Sequence, residues 1–226
     1  MDTAVALVQA YLRLNGYFTV AEFPILTTAG HGPTSSLRSA TDIDMLAVRF
    51  PGARHQMAHG TRDGDHIPAA DVDAALRVPA DSADMLIGEV KEGEATLNAA
   101  ATDPAVIRAV LARFGCCRAD DAADSAARLV REGSVYLRNG HQVRLAAFGS
   151  RAPNDRGSTR VALCLTFDHI LAHLRSYVRE HWDELRAGGT KDSTLGLLLL
   201  QEKAQRGGTR VAGVGARPSR TASPSA

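Results

Sequence analysis

The residues best suited to take part in a reaction are charged groups at the end of an apolar stretch, residues 84–92, DMLIGEVKE. Alternate side chains of a β-strand share a face, so Glu89 and Lys91 point the same way at the strand end. Lysine is rare here, because three of the 26 basic residues are lysines and Lys91 is the only one before Lys191. Lysine is a compact donor whose pKa falls on burial, which suits a group that touches a reacting phosphate or its attacking water. A strand-end ion pair is the structural alternative, and it is the commoner arrangement for an isolated Glu-x-Lys.

A second apolar stretch, residues 40–48 (ATDIDMLAV), carries Asp42 and Asp44 on one face. If the two stretches form adjacent strands, one of these aspartates lies within several ångströms of Glu89. One or two carboxylates, completed by waters and phosphate oxygens, are the ligands that Mg²⁺ prefers. The two stretches therefore predict a site for one divalent cation, Mg²⁺ or Mn²⁺, between the strands.

This order of motifs resembles the PD-(D/E)XK nuclease superfamily, also called the restriction-endonuclease-like fold. Its core is an α-β-β-β-α-β unit with an aspartate on the second strand and Glu-x-Lys on the third. Asp44, in TDIDMLAV, matches the aspartate of resolvase-like members, and Glu89 and Lys91 match the Glu-x-Lys. The resemblance covers roughly residues 1–115 well and the remainder loosely. The sequence departs from the family pattern between the motifs, where residues 50–82 are longer than a simple hairpin.

The resemblance implies a magnesium-dependent nuclease that hydrolyses phosphodiester bonds, with DNA as the first choice of nucleic acid. The implied metal ligands are Asp44, Glu89 and the backbone carbonyl of Val90. Lys91 would orient the attacking water or help to deprotonate it. Asp44, Glu89 and Lys91 are thus the expected catalytic residues.

Two further carboxylates are candidate auxiliary acids. Asp42 shares the face of the aspartate motif, and Glu22 lies in the first predicted strand, from which families of this fold sometimes supply an additional acid. An exposed strand residue is the alternative interpretation of Glu22. At the level of the whole protein, the alternatives are a nuclease-fold binding or regulatory protein without turnover, and an unrelated α/β protein in which these charges form an ion-pair network.

Composition limits the class of protein. The chain has 226 residues, 45% of them hydrophobic, which is enough for one substantial core. The net charge of +1 gives no global basic field, so a DNA partner would need a local track of arginines. Three cysteines, two of them adjacent, argue against a disulfide framework. No apolar run long enough to span a membrane and no secretory signal is present, so we expect a cytoplasmic protein without membrane contact, in which a homodimer is one open arrangement.

Hydrophobic periodicity and turn signals predict a mixed central sheet flanked by helices, an α/β (α+β) fold. A single domain over residues 1–204 is expected, with a core to about residue 167, C-terminal helices over 168–204 and a disordered basic tail over 205–226. The predicted elements are helix 3–14, strand 16–25, loop 26–39, strand 42–50, strand 84–91, helices 104–114 and 119–132, a hairpin around Asn139-Gly140, strand 160–167, one helix from 168 to about 185, and a last helix from 193 to about 204.

Two histidine pairs have the four-residue spacing of zinc ligands on a helix. His55 and His59 lie between glycines that favour irregular structure, and we expect a solvated loop there. His169 and His173 lie on a predicted helix, but the spacing indicates no third ligand. We expect packing or surface roles for this second pair.

Overall fold

The computed structural model describes residues 2–29, 36–53, 72–153, 162–188 and 190–208. The helices within these ranges are α1 Thr3–Leu14, α2 Pro104–Phe114, α3 Ala119–Glu132, α4 Phe167–Glu180, α5 Trp182–Gly188 and α6 Ser193–Gly208. The strands are β1 Phe18–Ala29, β2 Ser36–Arg49, β3 Asp84–Glu94, β4 Ser134–Tyr136, β5 Gln142–Arg151 and β6 Leu163–Thr166.

The six strands form one mixed sheet in the order β1-β2-β3-β5-β4, and β6 pairs with β5. The pairs β1–β2 and β2–β3 are antiparallel, whereas β5 is parallel to β3 and to β6. The predicted mixed α/β architecture is confirmed. In chain order, α1, β1, β2, β3, α2 and β5 follow the α-β-β-β-α-β order, with α3 and β4 inserted before β5.

Both faces of the sheet are covered by helices. On one face Met45, Leu86 and Phe148 pack with residues of α1, α4 and α6. On the other face Ile87 and Leu145 pack with residues of α2 and α3. A strand buried on both sides needs apolar residues at successive positions, which explains the continuous apolar run of β3.

Local capping signals set several helix boundaries. Asp2 accepts a hydrogen bond from the Ala4 backbone N–H at the start of α1, and Asp103 does the same for Ala105 at the start of α2. Pro104 occupies the first turn of α2, where it removes no intrahelical bond. The Asn139-Gly140 hairpin is also confirmed, because β4 and β5 pair around it.

The predicted loop over residues 26–39 was wrong for most of its length. After a register shift between Ile25 and Leu26, the β1–β2 ladder continues from Leu26↔Ser39 to Ala29↔Ser36. The segment is rich in Thr, which is β-branched and fits a pleated strand. Pairing with the neighbouring strand therefore outweighed the turn signals, and residues 30–35 lie outside the described ranges.

The single helix predicted from residue 168 to about 185 was also wrong, because it is two helices. α4 ends at Glu180, His181 has non-helical backbone angles, and α5 begins at Trp182. The last helix, α6, extends to Gly208 rather than to about Ala204. It therefore includes the first residues assigned to the tail, and residues 209–226 lie outside the described ranges, as do His55 and His59.

Within the described ranges, no helix has both the length and the apolar character needed to cross a bilayer.

Candidate active site

The site lies where the sheet opens between β2 and β3. The last pair of the β2–β3 ladder is Met45↔Gly88, yet β2 continues to pair with β1, and β3 with β5, beyond that point. Asp44 and Glu89 are the next residues of the two strands, so they lie on either side of the opening. The predicted adjacency of the two motif strands is confirmed.

Asp44 bridges this opening with its side chain. Its Oδ2 accepts a hydrogen bond from the Val90 backbone N–H at 2.8 Å. The N–H and C=O groups of one strand residue point toward the same edge of the strand, so the Val90 carbonyl also faces the opening. The residues predicted as ligands, Asp44, Glu89 and Val90, therefore surround one gap in the sheet.

Glu89 is buried, with 1% of its surface exposed. Its two carboxylate oxygens have different surroundings. Oε1 accepts hydrogen bonds from Lys91 Nζ and from Asn98 Nδ2, the latter at 2.7 Å. Oε2 is buried and has no hydrogen-bond partner among the described residues. A buried carboxylate oxygen without a donor is unusual in a folded protein.

Burial raises the pKa of Glu89 above its ordinary value, because the interior solvates the carboxylate poorly. The hydrogen bond from Lys91 opposes this rise, and the negative charge of Asp44 adds to it. Asp44 is thus close enough for its charge to disfavour the charged form of Glu89. A cation between them would relieve both the poor solvation and the repulsion.

Lys91 lies two residues beyond Glu89, opposite Gly149 in the parallel β3–β5 ladder. Its side chain is 39% exposed, so the ammonium group contacts both solvent and the buried carboxylate. This placement agrees with the predicted shared face of Glu89 and Lys91. The ammonium group has three N–H donors, and the bond to Oε1 uses one of them, so the others can face solvent.

Of the two auxiliary candidates, Glu22 lies on β1 and Asp42 lies on β2, the strand of Asp44. Glu22 is across from Asp44, because the pairs Ala21↔Met45 and Phe23↔Ile43 flank it. Its backbone has a positive φ of 52°, and its Oε1 accepts a bond from the Asp2 backbone N–H at 3.2 Å. The Glu22 carboxylate is therefore directed to the start of α1. Asp42 is exposed and pairs across from Pro24.

Within the described residues, no three His, Cys, Asp or Glu side chains are grouped so that they could hold a metal ion. The Asp44–Glu89 pair fits a hard cation that needs fewer protein ligands. Mg²⁺ is commonly held by one or two carboxylates and keeps several waters. The buried, unpartnered Oε2 of Glu89 is the structural observation that matches such a cation.

Sequence reasoning missed Asn98, which donates to Glu89. Asparagine commonly bonds a backbone N–H a few residues further along the chain, and here its Oδ1 accepts from the Ala101 N–H, in the short 3-10 turn Ala100–Thr102, at 2.7 Å. Nothing in the sequence indicated that the other end of its amide contacts Glu89.

The second histidine pair belongs to a separate hydrogen-bonded cluster. His169 Nε2 lies 2.7 Å from Asp73 Oδ2, and His173 Nδ1 lies 3.4 Å from the same oxygen. Tyr11 donates its hydroxyl to that oxygen at 2.7 Å. This cluster joins α1 and α4 to the chain before β3, in agreement with a packing role for His169 and His173.

No protein-family model, curated protein or solved structure matches the chain. The resemblance to PD-(D/E)XK nucleases therefore stays a prediction. It rests on the order of the motifs along the chain and on the elements that carry them.

Proposed function

We propose that the chain is a metal-dependent nuclease that hydrolyses phosphodiester bonds, with DNA as its preferred substrate. The observation that carries this proposal is the buried, unpartnered Oε2 of Glu89 beside Asp44. The choice of DNA follows from the resemblance to PD-(D/E)XK nucleases.

Asp44, Glu89 and the Val90 carbonyl would hold Mg²⁺ or Mn²⁺. When bound, the cation supplies positive charge that polarises a phosphate oxygen and lowers the pKa of water. The protein's contribution is to fix the two carboxylates on adjacent strands, just beyond the last β2–β3 pair, so that little reorganisation is needed on binding. Burial of Glu89 excludes water from one side of the pair.

Lys91 is the residue expected to act on the substrate. Its Nζ is anchored by Glu89 Oε1 at the edge of the site, and the half-exposed side chain can donate to a phosphate oxygen or to the attacking water. A positive charge fixed beside the phosphate stabilises the negative charge that grows in the transition state. Lysine serves here as a compact point charge with three donors.

The structural alternative is a Glu89–Lys91 ion pair with no ligand. Such a pair would account for Oε1, which has two donors, but not for Oε2, which has none. It would also give no reason for Asp44, a second carboxylate, to lie beside a buried glutamate. The carboxylate pair therefore favours a cation site over a closed ion pair.

The deciding experiment measures cleavage of single-stranded, duplex and branched DNA, and of RNA, with Mg²⁺ or Mn²⁺. Lys91→Ala should still bind the cation and lose most cleavage, while Glu89→Gln should lose both. Removing one charge-stabilising donor typically lowers the rate by about 10²–10³-fold. Lys191→Ala is the matched control, since this lysine is exposed and lies in the connection between α5 and α6.

Cation binding without cleavage of any substrate would favour a nuclease-fold binding protein. Wild-type cleavage no greater than that of a Glu89→Gln/Lys91→Ala double variant would overturn the enzymatic proposal. Absence of cation binding by the wild type would overturn the site itself.

A further inference from the structure

The two oxygens of the buried Glu89 carboxylate are distinguished by two donors, both of which act on Oε1. Lys91 Nζ is one donor, and Asn98 Nδ2, at 2.7 Å, is the other. A carboxylate is free to rotate about its last bond unless its hydrogen bonds differ. The two donors therefore determine which oxygen, Oε2, is left without a donor among the described residues.

Asn98 contacts Glu89 because the chain folds back after β3. Beyond Lys91, the Ala95 N–H donates to the Arg151 carbonyl at 2.8 Å, and Ser150 Oγ donates to the Glu92 carbonyl. This segment lies against β5 so closely that a Cβ on Gly149 would be 2.7 Å from Ala95 N. Only glycine permits this approach, which brings the following residues back toward Glu89.

The orientation of the Asn98 amide is fixed by its other end. The Ala101 N–H donates to Oδ1 at 2.7 Å, and an N–H can pair only with the amide oxygen. The amide nitrogen must therefore face Glu89. Thr102 Oγ1 also donates to the Asn98 carbonyl at 3.3 Å, so both side chain and backbone are anchored to the short turn.

We infer that Asn98 is a positioning residue that holds Glu89 Oε1 and thereby directs Oε2 toward Asp44 and the cation. This inference rests on the proposed nuclease function. It assigns different tasks to the two donors. Lys91 is half exposed and can turn its donors to the substrate, whereas the anchored amide of Asn98 stays on Oε1 throughout.

Asn98 is also suited to this task because it is neutral. A second cationic donor would compete with the divalent ion for the charge of Glu89, but an amide N–H orients the oxygen without neutralising it. Partners that orient metal ligands commonly account for about 10–100-fold in metal affinity or activity.

The test compares Asn98→Ser and Asn98→Thr with the wild-type full chain by titration with Mn²⁺ and by cleavage kinetics. Ser and Thr can accept the Ala101 N–H as capping residues, but they are too short to donate to Glu89. Mn²⁺ affinity should fall by about 10–100-fold, and kcat should fall while KM for the nucleic acid is unchanged.

Asp103→Ala is the matched control, since it removes the cap of the next helix without touching Glu89. Its melting temperature should fall and its Mn²⁺ affinity should not. Wild-type Mn²⁺ affinity in a folded Asn98→Ser or Asn98→Thr variant would overturn the inference and leave the proposed function standing. Loss of cooperative unfolding in both variants would identify Asn98 as a structural cap and would also overturn it. If the wild type itself binds no Mn²⁺, both the function and this inference fail.

Discussion

Strand β3 buries two carboxylates, Asp84 at its first residue and Glu89 at its middle, and their hydrogen-bond partners differ. Asp84 has no exposed surface, and Glu89, five positions later, has 1%. Arg144 donates to both oxygens of Asp84, at 2.8 Å from Nε and 2.5 Å from Nη2, and Tyr17 adds a hydroxyl at 2.5 Å. Glu89 has two donors on one oxygen and none on the other.

Asp84 is buried among partners that stabilise the fold, whereas Glu89 is buried with a set of partners that the proposed cation would complete. At Asp84 the protein supplies its own cation, and Arg144 is itself satisfied by a further bond to the Leu76 carbonyl at 2.9 Å. Burial, the adjacent Asp84 charge and the bond to it raise the pKa of Tyr17, so the hydroxyl keeps its proton. At Glu89 the neighbouring carboxylate of Asp44 adds a second negative charge. The ammonium group of Lys91 does not fully offset the resulting rise in the pKa of Glu89. An incomplete set of partners, rather than burial alone, distinguishes Glu89 as the candidate site residue.

The largest expected effect comes from removing one of the hydrogen-bond partners of Asp84. Arg144→Ala should lower the free energy of unfolding by about 3–5 kcal/mol, because it leaves the charge of Asp84 buried and unpaired. Urea denaturation measures this loss. Arg138→Ala is the control, since its ion pair with Asp121 is largely exposed and such pairs contribute about 0–1 kcal/mol. If Arg144→Ala lowers the free energy of unfolding no more than the control does, the distinction between the partners of Asp84 and those of Glu89 is lost.

A divalent cation should complete the incomplete set of partners around Glu89. Mn²⁺ or Mg²⁺ at about 100 times its Kd should raise the free energy of unfolding of the wild type by about 2.7 kcal/mol, because it binds only the folded state. Glu89→Gln and Asp44→Asn should lose this gain, and Asn at position 44 keeps an acceptor for the Val90 N–H. Asp81→Asn, a change in an exposed residue before β3, should retain it. Equal stabilisation of Glu89→Gln would place the cation elsewhere.

A smaller effect is expected in the pH dependence of the free energy of unfolding, measured with a chelator present so that no divalent cation is bound. The pKa of Glu89 is raised in the folded state, so the folded protein binds more protons than the unfolded chain just above the ordinary glutamate pKa of 4.5. Its free energy of unfolding should therefore fall as the pH rises from about 4.5 through the raised pKa, by about 1.4 kcal/mol for each pH unit of difference. Glu89→Gln should flatten that part of the profile. Identical profiles would show that Glu89 titrates normally.

The smallest effect concerns the backbone beside the site. Glu22 has a φ of 52°, and the other described non-glycine residue with positive φ is Arg77, at 47°. Glu22→Gly and Arg77→Gly should each stabilise the protein by about 0.5–1 kcal/mol, because relief of strain outweighs the added chain entropy. Mn²⁺ affinity should be unchanged in Glu22→Gly, since its carboxylate is bound to the Asp2 N–H. A lower affinity would instead make Glu22 an auxiliary ligand.

Much of the site was accessible from the sequence because it depends on short-range pattern. Alternation along one strand placed Glu89 and Lys91 together, and two apolar stretches with carboxylates at their ends indicated strands. Hydrophobic periodicity likewise predicted α1, α2, α3 and the central strands. The individual elements are determined by local pattern, whereas the adjacency of the Asp44 and Glu89 strands was expected from the family resemblance.

The features that were missed depend on partners far along the chain or on backbone detail. The Asp84–Arg144 pair spans 60 positions and requires the parallel β3–β5 register, which no local pattern specifies. Asn98 meets Glu89 only because the chain folds back past Gly149. The break at His181 and the continued β1–β2 ladder arise from tertiary packing and pairing that override local propensity.

The parallel pairing of β3 with β5 also bears on how the protein folds. β1, β2 and β3 follow one another in the sheet, whereas Arg144 and Asp84 are 60 positions apart, with α2 and α3 between them. Closing so long a connection costs entropy before any contact compensates it. Until β5 docks, Asp84 lacks its arginine and β3 cannot be buried without an unpaired charge. Desolvation of the central strand is thus tied to a late, non-local step, which makes the sheet one cooperative unit whose opening is slow.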